Sequence, residues 1–257
     1  MFKRFGKGAS KIKQMKISIF NINMWLLPFY YSKHNKDRLK KLVDFIKIRK
    51  PDVVTLQEIP LKRHVKYIQK NLPEYFVSHH SGRVLNKSAL VILSKDKPVK
   101  TEFFPFPKEK IFTKSERIIT KGVFVTHFKN KVSVYNTHFY LVKEDNYNSL
   151  LEKQFDFTKS IMEKKNICFL CGDLNMDKQH FDRVNNGFYS YAENSKITFA
   201  QDNRYHKKWW DNKVQGNKKI DYILVKISKT KKISYKSETI KQGLSDHYGI
   251  YSQIKVD

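Results

Sequence analysis

The chain has 257 residues, 40% of them apolar, with 51 basic residues against 24 acidic ones and a net charge of +27. That apolar share is enough for a proper core and excludes a disordered chain. No window approaches the roughly 18 apolar residues of a membrane span, and the basic start, Met1 to Lys7, has no apolar stretch behind it to act as a secretion signal. Only 8 of the 51 basic residues are Arg, and Lys is spread along the whole chain. A surface this basic favours an anionic partner: nucleic acid, an acidic membrane face or a phosphorylated small molecule. A nucleotide bias towards Lys, Asn, Ile and Phe codons would produce the same count. Cys168 and Cys171 lie three apart in one apolar run and point to opposite faces of a strand, so they read as core cysteines of an intracellular, cytoplasmic protein.

In chain order, residues 1–14 read as a flexible basic tail and 15–257 as one domain, with no internal repeat and no break in composition. Lys16 to Ile22 alternates as a first strand ending at Asn21-Ile22-Asn23. The segment 24–31 is too bulky and too Pro-broken for a regular element. A helix fits Asn35 to Arg49, with Leu39, Leu42, Val43 and Ile46 on one face and Pro51 as its stop. Asp52 to Gln57 is a buried strand leading to Glu58, and Leu61 to Asn71 is helical by period. Strands follow near Glu74–His80, Ser88–Ser94, Ile118–Thr126 and Lys131–Phe139. A long helix spans Asp145 to Lys165, and strand 167–172 runs into Asp173. Ile220 to Val225 and Tyr248 to Ile254 are the last strands, with a polar, aromatic-spotted loop from Gln201 to Lys219 before them. Many strands with helices at intervals predict two packed sheets with helices outside.

Reactive side chains stand just after these strands: Asn21, Glu58, His138, Asp173, Asn175, Asp221, Asp246 and His247. Taken singly, each has an ordinary explanation. A Glu at a strand end is commonly solvated, a lone His is commonly a satisfied edge residue, and Asp-x-Asn is commonly a turn. Together, carboxylates, amides and a histidine at strand ends suit a hard cation and a phosphate ester.

Six blocks occur in a characteristic order: Ile19-Phe20-Asn21, Leu56-Gln57-Glu58, Asn136-Thr137-His138, Gly172-Asp173-Leu174-Asn175, Ile220-Asp221-Tyr222 and Ser245-Asp246-His247. In this the chain resembles the endonuclease/exonuclease/phosphatase superfamily, the DNase-I-like fold. The resemblance implies a four-layer α/β sandwich, two packed and mostly antiparallel β-sheets flanked by helices. It also implies a Mg²⁺-dependent phosphodiesterase acting by metal-activated water attack, with Mn²⁺ as a substitute ion.

Carried over by position, Glu58 would be the principal metal ligand, with Asn21 near the metal and Asp246 a further ligand. Asn23 competes with Asn21, and the phase of Phe20-Asn21 favours Asn21. Asp173 would orient or deprotonate the attacking water, and Asn175 would hold that water or a phosphate oxygen. His247 would act on the phosphate or as base, its ring fixed by Asp221. His138 would donate to the oxygens on which charge builds.

For the substrate, the segment Asn21 to Trp25 with Pro28, Tyr30, Ser32-Lys33-His34 and Asp37-Arg38 is similar to the neutral sphingomyelinase branch. So is Lys121-Gly122-Val123, where Lys121 would meet a substrate phosphate. Trp25 and its neighbours would enter a lipid interface, giving peripheral membrane contact, or would simply pack between sheets. The rival reading is a nuclease or a tyrosyl-DNA phosphodiesterase-like end-processing enzyme. It rests on Leu56-Gln57-Glu58, Pro105-Phe106-Pro107, Thr198-Phe199 and base stacking by Trp209 and Trp210 in a basic loop. A catalytically silent binding module on the same scaffold is the remaining alternative.

Overall fold

The computed structural model describes residues 14–28, 31–107, 119–140, 147–162, 167–205, 216–227 and 231–257. The basic tail up to residue 13 and the Trp209-Trp210 loop therefore lie outside the described residues. Twelve strands and four helices are present among those described. The first sheet takes β1 (Met15–Asn23), β2 (Val53–Gln57), β3 (Phe76–Ser81), β4 (Asn86–Ser94), β11 (Ile233–Ile240) and β12 (Gly249–Val256), in the order β11-β12-β1-β2-β4-β3. The second takes β5 (Lys100–Pro105), β6 (Gly122–His127), β7 (Val132–His138), β8 (Ile167–Asp173), β9 (Ser190–Tyr191) and β10 (Asp221–Lys226), in the order β5-β6-β7-β8-β10-β9.

Each sheet is antiparallel except for one central parallel pair, β1 with β2 and β7 with β8. Parallel neighbours need a long crossover. Helix α1 (Asn35–Arg49) supplies the first and α3 (Tyr147–Ser160) the second. After each pair come a helix, α2 (Lys62–Asn71) or α4 (Lys178–Asn185), and two more strands. The path β-α-β-α-β-β is thus run twice, a repeat of topology with no repeat of sequence. The hairpin closing each run is handed across: β5-β6 joins the second sheet and β11-β12 returns to the first.

Burial follows the alternation of side chains along strands. Phe20, Ile22, Leu56 and Leu93 face outward and pack against Leu39, Leu42, Ile46, Val65 and Ile68 of α1 and α2. On the second sheet, Val125, Tyr135, Leu170 and Leu224 meet Leu151 and Phe155 of α3 and Phe181 of α4. Between the sheets lie Ile19, Val53, Val134, Phe169, Ile223, Val225 and Ile250. The result is the expected four-layer sandwich.

Four elements escaped the sequence pattern, each for a physical reason. β5 and β11 are edge strands with mostly solvated side chains and little alternation, and β9 has two residues. α4 is short and polar, and is started by the Asp177 side chain, which accepts from the His180 N–H at 2.9 Å. Cys168 and Cys171 are buried in β8, and no disulfide joins them.

His64 on α2 is buried, and its Nδ1 has no partner among the described residues. Burial first, then the charges of Arg63 and Arg38, lower its pKa from 6.5 to about 4. The neutral ring favours the fold fully above pH 6.5. As pH falls towards 4 the unfolded chain binds the proton first, and stability is lost at no more than about 1.4 kcal/mol per pH unit. Denaturant unfolding of His64→Leu should show a flatter decline between pH 6.5 and 4 than wild type. Equal slopes would assign the acid limb to other groups.

Candidate active site

The inward-facing residues of the central strands change character with height. At the lowest level stand Ile19, Val53, Val134, Phe169 and Val225, all apolar. One step up, in register, are Asn21, Thr55, Asn136 and Cys171. At the mouth come Asn23, Gln57, His138, Asp173 and Asp221. This is the carboxyl end of both parallel pairs, where open α/β sheets place their chemistry.

The middle level ties the two sheets together. Asn21 Oδ1 accepts from Thr55 Oγ1 at 2.8 Å and from Gln57 Nε2 at 3.0 Å. Gln57 Nε2 also donates to Asn136 Oδ1 at 2.7 Å, and Asn136 Nδ2 donates to the carbonyls of Leu56 and Val91. Asn21 is therefore tied into the inter-sheet amide network, one level below the mouth. The neighbour of Glu58 is Asn23, whose Nδ2 donates at 3.1 Å to both Glu58 Oε1 and Asp173 Oδ2. Both asparagines face the same way. A period of two selects the face of a strand and not the level, and the two residues differ by about 7 Å in height.

Glycine sets the fit of β7 to β8. A Cβ on Gly172, whose φ is +151°, would lie 2.0 Å from the Thr137 carbonyl oxygen. Any side chain there would push apart the strands that bring His138 and Asp173 into register. Three other residues of the site hold left-handed backbone without being glycine: Trp25 (φ 46°), Glu58 (φ 56°) and Asn175 (φ 49°). Such conformations cost of order 1–3 kcal/mol each and persist where surroundings over-determine them. Here Met24 N–H and Leu26 N–H donate to the carbonyls of Gln57 and Glu58, locking the two turns against each other.

Glu58 is 19% exposed at its side chain, yet its Oε2 is buried with no partner among the described residues. Burial first and the like charge of Asp246 second raise its pKa, and burial also raises that of Asp246. Asp246 Oδ1 accepts from Ser245 Oγ at 3.0 Å, and the loop carbonyls of Ser245 and Asp246 are held by Asn203 Nδ2. Two mutually repelling carboxylates, one with an unspent buried oxygen, are a donor set suited to a hard divalent cation.

The second sheet contributes the proton-handling groups. His247 Nδ1 bonds Asp221 Oδ2 at 2.9 Å, and His247 Nε2 lies 3.8 Å from Asp173 Oδ2. Burial works against charging this ring. The carboxylates of Asp221, Asp173 and Asp246 outweigh it and raise the pKa well above the usual value. Asp173, buried and near Asp221, is pushed up to about 7, with Asn175 N–H donating to its Oδ1 at 2.9 Å. His138, only 13% exposed at its side chain, is held neutral by burial, by Lys121 and by His247. Its Nε2 stands 3.3 Å from Lys121 Nζ and 3.6 Å from Asp173 Oδ2. Donor atoms of Asp173, Asp221 and His247 cluster within 4.8 Å. That trio could itself hold a metal ion, and its hydrogen-bonded His247–Asp221 pair also suits proton transfer.

Trp25 is 6% exposed, with the Arg38 guanidinium 5.0 Å from its ring centroid, so it is a packed residue and not a lipid-facing one. Asn175 gives its Nδ2 to the Phe139 carbonyl at 2.9 Å, while its backbone N–H holds Asp173 Oδ1. Thr198 was placed only in the rival reading. Its Oγ1 accepts from the N–H groups of Ile220 and Asp221, anchoring Asp221. Arg38 and Ser245 stood inside resembling segments with no role of their own assigned, and Asn203, in the polar loop, carried no signal at all.

The two asparagines separate experimentally. Asn23→Ala should weaken Mg²⁺ binding, measured by calorimetry, by about 10- to 100-fold, as loss of a ligand-orienting partner does. Asn21→Ala should leave Mg²⁺ affinity within about threefold and cost about 1–3 kcal/mol of stability for its buried bonds. The opposite pattern would restore Asn21 to the metal.

A model of the endonuclease/exonuclease/phosphatase family matches residues 20–247. Human sphingomyelin phosphodiesterase 2 is 28% identical over 179 residues, covering 63% of this chain and 41% of that protein. The chain thus aligns with less than half the length of this curated relative. Among solved structures, D. rerio TDP2 complexed with single-strand DNA product superposes with a TM-score of 0.72 at 18% identity, covering 93% of this chain and 98% of the other. Staphylococcus aureus beta toxin with bound magnesium ions gives 0.73 at 18% identity, covering 93% and 99%. At such identities the likeness of structures speaks for the fold. With the family model spanning nearly every site residue, the chain belongs to the endonuclease/exonuclease/phosphatase family, the DNase-I-like superfamily.

Proposed function

We propose that this protein is a Mg²⁺-dependent phosphodiesterase that releases the head group of a sphingomyelin-like phospholipid. The observation that carries the chemistry is the Asn23 amide, which places the cation-ready Glu58 and the poised Asp173 side by side. Glu58 and Asp246 would hold Mg²⁺, and the bound ion would supply Lewis-acid charge to the ester. Asp173, with a pKa of about 7, takes the proton of the attacking water. The His247 imidazolium, fixed by Asp221, and the Lys121 ammonium offset the charge that builds on the phosphate oxygens. Asn175 and Asn23 hold Asp173 from two sides, so the base does not reorganise as the reaction proceeds.

The phospholipid reading is supported by the sphingomyelin phosphodiesterase 2 relatives and by the net charge, which suits an anionic membrane surface. Processing of a DNA end is the second reading. It is favoured by the burial of Trp25, which removes the lipid wedge, and by Phe199, whose ring lies 5.0 Å from that of His247 on the site wall.

Purified protein should release phosphocholine from sphingomyelin vesicles in Mg²⁺ and stop in EDTA. Asp173→Ala and His247→Ala should each lose at least about 10²-fold. Turnover of a 5′-tyrosyl oligonucleotide with no action on vesicles would favour the second reading. Binding to DNA should then weaken with log salt at a slope near −0.7 per phosphate for a single strand. No Mg²⁺-dependent cleavage of any diester would end both.

A further inference from the structure

Arg38 is 0% exposed, in the first turn of α1, one step from the helix face that packs on the first sheet. Among the described residues its hydrogen bonds all go to neutral oxygens. Nε donates to the Lys33 carbonyl at 2.9 Å. Nη1 donates to the Met24 carbonyl and reaches the Leu244 carbonyl at 3.4 Å. Nη2 donates to the Trp25 carbonyl at 2.7 Å and to Asn35 Oδ1 at 2.6 Å. The guanidinium lies near the rings of Trp25 and Tyr205, at 5.0 and 5.5 Å. Burying a cation without a bonded carboxylate is expensive, and burial does lower its pKa. The charges that oppose this act through space, from Asp246 first among the acids and then Glu58.

Three of these four carbonyls, those of Met24, Trp25 and Leu244, matter by their positions. Met24 and Trp25 directly follow Asn23, whose Oδ1 accepts from the Trp25 N–H; Met24 N–H donates to the Gln57 carbonyl, and Leu26 N–H, one residue beyond Trp25, donates to that of Glu58. Leu244 directly precedes Ser245-Asp246-His247. We propose that Arg38 is the positioning residue of this site: one guanidinium fixes the Asn23–Glu58 edge and the Asp246–His247 loop relative to each other. Its charge also relieves the mutual repulsion of Glu58 and Asp246 before a cation arrives. The inference rests on the phosphodiesterase reading above.

Arg38→Lys keeps the cation but loses the planar fork of donors. Asn35→Ala keeps Arg38 and removes one anchor. Both are compared with wild type where circular dichroism shows each fully folded. The measurements are Mg²⁺ calorimetry, kcat and KM on bis(p-nitrophenyl) phosphate, and backbone amide exchange. For Arg38→Lys we expect kcat to fall at least about tenfold with KM within about threefold, and Mg²⁺ affinity to weaken at least about fivefold. Faster exchange should be confined to residues 24–28 and 244–248. Asn35→Ala should move each quantity the same way by less. A purely structural arginine would lower Tm while leaving kcat, Mg²⁺ affinity and the local exchange pattern at wild-type values, and that result overturns the proposal while active wild type keeps the phosphodiesterase reading. If Arg38→Lys does not fold, wild-type behaviour in Asn35→Ala overturns it. A wild-type protein that neither binds Mg²⁺ nor cleaves a diester removes the parent reading, and this inference with it.

Discussion

One amide group joins the two halves of the site. Asn23 Nδ2 donates to a carboxylate of the first sheet, Glu58, and to a carboxylate of the second, Asp173, each at 3.1 Å. The distance between the Glu58 side and the Asp173 side of the site is therefore the distance between the sheets. That spacing is set by close packing lower down, around Ile19, Phe169 and Val225, and by the bond from Gln57 at the mouth to Asn136 one level beneath it. Interiors packed to this density are stiff, so the site inherits its precision from the core.

Charge balance follows from the same arrangement. Glu58, Asp173 and Asp246 all have raised pKa values, with burial the first cause in each. Against them stand His247, bound to Asp221, and the buried Arg38. No single pair neutralises another completely. The acids and cations are held apart by backbone and amide bonds, which leaves their fields available to an ester and an ion entering between them.

Much of this was legible in the chain. Blocks such as Gly172-Asp173-Leu174-Asn175 announce a strand end, and their order along the chain carried the fold. Asn21 and Asn23 share a face of β1, and matching Phe20-Asn21 to the family pattern favoured Asn21, whereas the asparagine bonded to Glu58 is Asn23. Trp25 looked exposed because it sits in an irregular, Pro-interrupted segment, whereas its left-handed backbone turns the ring inward beneath Arg38. Arg38 itself was unreadable as a core residue, because arginine is rarely buried and its backbone acceptors come from two loops far apart in the chain, before α1 and between β11 and β12. The edge strands β5 and β11 were missed because edges lack the two-sided burial that produces an apolar run.

The exchange of closing hairpins has a consequence for the integrity of the molecule. The first run of strands cannot complete its own sheet, because β11 and β12 arrive from the second run, and the second run depends on β5 and β6 in the same way. The halves are interlocked like clasped hands. A break in the backbone at the Phe128–Lys131 turn, between β6 and β7, would leave each fragment missing the strands its partner carries. The two pieces would be expected to recognise and hold each other without a covalent link.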